Sequence, residues 1–154
     1  MKAKPIALLV PLFLVTMAFS FADSPFMGTW KLNEAKSKLS AGSPKFTTVV
    51  YETAGDMIKC TVDGVDGDGK PAHNEWTGKF DGKDYPVTGD STVDARSYRE
   101  INSHTLSIEE KKDGKVLITG RIVVAADGKS RTITTTGTDA KGKKLTNVGV
   151  YDKQ

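Results

Sequence analysis

Six turn signals cut this chain into short segments, and the segments leave little room for anything but antiparallel strands. The signals are Ala54-Gly55-Asp56, Asp66-Gly67-Asp68-Gly69, Phe80-Asp81-Gly82-Lys83, Asp113-Gly114-Lys115, Asp127-Gly128-Lys129 and Ala140-Lys141-Gly142-Lys143. Asp-Gly suits tight hairpins because the central residues of such turns take positive φ. The intervening segments run mostly 7–12 residues and are rich in Val, Ile, Thr and Tyr, types that fit a pleated, half-buried surface. The rhythm predicts strands over 27–33, 45–54, 57–64, 71–79, 92–101, 104–112, 115–125, 131–138 and 144–152, with a short extension within 84–89. Helix is confined to a turn or two over 33–39, with Asn33 as its cap.

Alternation then assigns faces. Val116, Ile118, Gly120, Ile122 and Val124 share one face of their segment, and Val93, Ala95, Ser97, Arg99 and Ile101 share one face of another. Leu106 with Ile108, and Val148 with Val150, read as apolar faces too, whereas Thr132, Thr134 and Thr136 read as a solvent face. One-sided strands suit an antiparallel sheet with one wet face. The edges of so many sequential strands need management, and closing the sheet removes them. The expected fold class is all-β, with little helix. It is a single up-and-down antiparallel β-barrel of 8–10 strands, with strand 27–33 beside strand 144–152.

The N-terminus reads as a leader. Lys2 and Lys4 precede an apolar run, Ile6 to Phe19, that Pro11 interrupts. Ser20-Phe21-Ala22 places small residues at −3 and −1, which predicts cleavage before Asp23. Residues 1–22 are therefore expected to be a signal peptide, residues 23–154 one exported domain, periplasmic or secreted, and no span is expected to remain after cleavage. The other reading is a retained anchor, although residues 6–22 reach only the lower edge of spanning length.

Removing Lys2 and Lys4 from the 22 basic side chains leaves 20 against 19 acidic, a net +1. A near-neutral, mixed surface makes no electrostatic case for nucleic acid. Lys141, Lys143 and Lys144 read as a solvated turn. Cys60 is the single cysteine, so no internal disulfide is expected. It shares a face with Ile58 and Val62 and reads as a buried, inert thiol.

The ends of the domain carry a resemblance. Gly28-Thr29-Trp30-Lys31-Leu32 resembles the opening of the fatty-acid-binding proteins, and Val150-Tyr151-Asp152-Lys153 resembles their close. With its length and strand rhythm the chain is similar to the calycins, including small exported bacterial lipocalin-like proteins. The resemblance implies a lipid-binding cavity and a ligand-holding role for Tyr151. Three departures stand beside it. Residues 33–44 are too few for the two lid helices of fatty-acid-binding proteins. Gly149 occupies the position of their carboxylate-binding Arg. Lys153 is the nearest basic residue to the Arg that lipocalins stack on the first-strand Trp.

Among individual residues, Gly28 and Trp30 are expected to be structural. Trp76 either lines a cavity or fills it. Arg99, aimed inward by its alternation, either meets a ligand anion, or its strand end is exposed, or it pairs with a carboxylate such as Glu75, because a buried guanidinium needs a partner. Arg99 and Tyr151 would then be the polar handle, with Trp76 and Ile101 as apolar walls. Arg121 reads as solvent-facing. His73 and His104 do not form a metal pattern, and Asp66-Gly-Asp68-Gly lacks the later ligands of a calcium loop. Glu109 and Glu110 point to opposite faces of a strand and cannot act together. The expectation is a monomeric, non-enzymatic binding protein for a small hydrophobic or amphipathic ligand, without cofactor or metal. The alternative is a structural or interaction barrel with a filled interior.

Overall fold

The computed structural model describes residues 23–138 and 142–154. The expected signal peptide, together with Ala140 and Lys141 of the last turn signal, lies outside the described residues. Ten strands are present: β1 (Gly28–Leu32), β2 (Lys45–Ala54), β3 (Met57–Val65), β4 (Pro71–Gly78), β5 (Tyr85–Thr88), β6 (Ala95–Asn102), β7 (Thr105–Lys112), β8 (Lys115–Val124), β9 (Ser130–Thr138) and β10 (Lys144–Lys153). Each pairs antiparallel with its sequence neighbour, and β1 also pairs with β10, so the sheet closes into an up-and-down barrel. The predicted extension within 84–89 is the full strand β5. No helix among the described residues is long and apolar enough to cross a membrane.

Local chemistry explains the hairpins. Asp113 and Gly114 both take positive φ, 50° and 75°, as a two-residue turn matching the twist of its flanking strands requires. The predicted helix shrinks to one 3-10 turn, Glu34–Lys36, which Asn33 caps by accepting from the Lys36 amide at 3.2 Å. Beyond that turn the chain stays on the edge of β10. Lys38 exchanges both backbone hydrogen bonds with Val148, and the Ser40 amide donates to Asn147 Oδ1 at 2.7 Å. This strap returns to β2 through residues 41–44.

The closure is set by Trp30↔Lys153, Lys31↔Asp152 and Leu32↔Tyr151. Gly28 takes φ +99°, and a Cβ there would sit 3.2 Å from the Lys153 side chain. Trp30 is fully buried and donates from Nε1 to the Phe26 carbonyl at 2.9 Å. In the same core Trp76 packs against Phe80, Tyr85 and Tyr98, with centroids 6.4, 5.8 and 4.8 Å away.

Two face assignments need correction. On β6 the buried side chains are Arg96, Ser97 and Tyr98, while Arg99, Glu100 and Ile101 are exposed. Val93 is buried, but it belongs to the connection before the strand begins at Ala95. Counting alternation from it therefore gives the wrong parity. On β10, Tyr151 is buried, and Val148 and Val150 are the half-buried pair on the other face. The β8 face holds at Ile122 and Val124, while Val116 is exposed beyond a register shift at Glu110/Lys111.

Candidate functional site: an interior cavity beside a buried ion pair

A cavity of about 150 Å³ lies inside the barrel. Tyr51, Val62, Tyr98, Ile108 and Ile122 form its buried wall. Leu39 and Pro44 of the strap, with Ile118, Thr135 and Asn147, form its less buried rim. The β1–β2 connection thus covers part of this end with a short strap instead of helices. A second, more polar depression of about 250 Å³ shares Pro44 and Phe46 with the first and extends to His73, Asp90 and Thr92.

One charged pair enters the apolar wall. Arg96 and Glu110 are directly opposite on β6 and β7. Arg96 Nε donates to Glu110 Oε1 at 2.6 Å, and Nη2 donates to Asn74 Oδ1 at 3.3 Å. Only 4 % of the Arg96 side chain and 13 % of that of Glu110 is exposed. Burial acts most strongly and would lower the guanidinium pKa, but Glu110 together with the smaller contributions of Tyr98, Cys60 and Tyr51 outweighs it and holds the group above its ordinary value. Among the described residues, Glu110 Oε2 accepts no hydrogen bond. The Trp76 indole donates to the Arg96 carbonyl at 2.8 Å, which fixes the strand behind the pair.

The phenols around the cavity are neutral and largely committed to one another. Tyr51 OH donates to Tyr98 OH at 3.2 Å, Cys60 Sγ lies 3.9 Å from the same oxygen, and Tyr151 OH donates to the Phe46 carbonyl at 2.9 Å. Burial raises the pKa of Tyr51, Tyr98, Tyr151 and Cys60. Cys60 is therefore a buried thiol, poorly placed for reaction.

A second buried arginine lies in the same interior. Arg131 of β9 is 1 % exposed, and its guanidinium carbon stands 4.7, 5.1 and 5.2 Å from the ring centroids of Trp30, Tyr51 and Tyr151. Among the described residues none of its three nitrogens has a hydrogen-bond partner. The rings supply the attraction that a carboxylate supplies elsewhere.

The residues expected to form the site do not come together. Tyr151 lines the cavity, as does Gly149. Trp76, at 1 % exposure, fills the interior beside the cavity. Arg99 lies on the outer face, its backbone forming an isolated β-bridge with that of Asp81 and its guanidinium lying over Gly82. Glu75, its expected carboxylate, pairs instead with Lys59 at 2.8 Å. Ile101 is 49 % exposed and is no wall. Both corrections follow from the β6 parity. Sequence reasoning missed Arg96 and Glu110, although one step of register would have exposed them as an inward cross-strand pair. It also missed Arg131, whose alternation with Ile133 and Thr135, opposite the threonine face, was available.

Arg121 and the Asp66 segment lie as expected. Arg121 is exposed. Asp66 Oδ1 accepts from the amides of Asp68 and Lys70, which makes that segment a turn. His73 Nδ1 contacts Asp63 at 2.7 Å, and His104 contacts Ser103 at 3.0 Å. Among the described residues no group of three or more His, Cys, Asp and Glu could hold a metal. No protein-family model and no curated protein sequence matches the chain.

Proposed function

We propose that this chain is an exported, calycin-like binding protein, not an enzyme, and that it holds a small apolar or amphipathic molecule inside its barrel. The observation that carries the reading is the apolar cavity with one buried ion pair in its wall. Ligand sites commonly combine apolar walls with a few placed polar groups. The leader-like N-terminus supports export. The closed antiparallel barrel and the stacking of Arg131 on Trp30 support the calycin likeness, although this Arg comes from the penultimate strand.

Cavity size narrows the ligand. Pockets for larger ligands run to about 300–1,000 Å³, whereas one near 150 Å³ suits a single aromatic ring. A long acyl chain does not fit. The same size favours the second reading, a non-catalytic structural or interaction barrel whose interior is filled by Trp76, Phe80 and the tyrosines. Native mass spectrometry of protein purified from its own host, joined to a toluene titration followed by NMR, separates the two. Binding predicts a small adduct lost on denaturation, or toluene-induced shifts at Val62, Ile108 and Ile122. No adduct and no shifts would leave the filled barrel as the function.

A further inference from the structure

Resting on that cavity reading, we infer that its ligand is a small neutral ring compound bearing a hydrogen-bond donor and acceptor together, as in an amide-substituted ring, recognised by the Arg96–Glu110 pair.

The pair is already neutral. Its nitrogen Nε and oxygen Oε1 satisfy each other at 2.6 Å. An anion entering to meet Arg96 must also approach Glu110, whose Oε2 has no donor among the described residues. A cation entering for Glu110 must approach the guanidinium. A group that donates to Oε2 and accepts from the guanidinium edge meets both without bringing net charge. Oε2 is open to the cavity that Glu110 lines, and ligand sites gain orientation from a few such placed polar groups, so a ligand supplying a donor there gains over one that only fills space.

The other polar groups do not change this preference. Tyr51 OH is spent on Tyr98 OH, and Tyr151 OH on the Phe46 carbonyl. Arg131, the other interior cation, is covered by the Tyr51 and Tyr151 rings and is not a wall of the cavity. The remaining surface, from Val49, Val62, Ile108, Ile122 and Ile133, suits the ring itself.

Three probes of similar size test the inference: benzamide, benzoate and toluene, titrated into the intact protein by calorimetry and NMR. Benzamide should bind at least about tenfold more tightly than either of the others, the factor that corresponds to about 1.4 kcal/mol. Glu110→Gln keeps an acceptor for Arg96 Nε but removes the negative charge, so it should shift the benzamide-to-benzoate ratio at least about tenfold toward benzoate. Benzoate as tight as benzamide in wild type, or toluene equal to benzamide, overturns the specificity while leaving the cavity reading intact. Binding of none of the three overturns the cavity reading as well. If Glu110→Gln does not fold, as judged by circular dichroism, the wild-type ranking alone decides.

Discussion

The barrel buries two arginines, and it treats them in opposite ways. Arg96 has a carboxylate at 2.6 Å and an amide oxygen at 3.3 Å. Arg131 has neither, only the faces of Trp30, Tyr51 and Tyr151. An ion pair binds each partner to the other, so removing one strands the second. A ring cage leaves nothing charged behind when its cation goes. The first arrangement is fragile to single substitutions but offers a ligand two complementary polar edges. The second is tolerant, and it joins β1, β2, β9 and β10 around the seam that closes the barrel.

The largest effect is expected where the cage meets the core. Trp30→Ala should lower stability by about 3–5 kcal/mol, the usual cost of deleting a large buried aromatic. It removes the ring nearest Arg131 along with the Nε1 bond to Phe26. A loss below about 1 kcal/mol in urea unfolding would place Trp30 outside the core.

Arg96→Met should cost about 3 kcal/mol, because Glu110 is left buried and unpaired. The double variant Arg96→Met/Glu110→Leu should recover most of that loss. A double variant no more stable than the single one would show that packing, not the stranded charge, is responsible.

Arg131→Met sharpens the contrast. It forfeits cation–π attraction worth about 2 kcal/mol when desolvated, and it relieves three nitrogens without partners. The net loss should stay under about 2 kcal/mol, below that of Arg96→Met. A larger loss would mean that Arg131 has a partner, such as a buried water, that the cage view omits.

The smallest effect is on the surface. His73 has a raised pKa, chiefly through its hydrogen bond to Asp63. A folded-state pKa above the unfolded value stabilises at pH below the ordinary His value near 6.5, and that contribution fades as pH rises through the raised value. NMR titration should place His73 above the ordinary His value near 6.5, and Asp63→Asn should lower it. No change in that variant would assign the shift to Glu75, 3.7 Å from Nε2.

How much of this was legible in the sequence depends on how local each cause is. The hairpins and the closure were readable, because Asp-Gly turns and the Gly28-x-Trp30 opening act over a few residues. So was the burial of Cys60, Leu106 and Ile122, where alternation is unbroken. The β6 face was not, because Val93 lies outside the strand and shifts the count by one. That single step turned Arg99 and Ile101 inward on paper and hid Arg96. The pairing of Arg96 with Glu110 depends on register across a hairpin, and the meeting of Arg131 with Trp30 depends on closure. Alternation counted in the right register would have turned all three side chains inward, but which of them meet is set by pairing and closure and not by any local pattern.

The closing seam also bears on how the molecule is made. β1 and β10 are the paired strands of widest sequence separation in the sheet. Long-range pairing of this kind slows folding. Until it forms, the first and last strands both present unpaired edges, open to pairing with another chain. Refolding should therefore show early protection of the β7–β8 hairpin amides and late protection of Lys31 and Asp152.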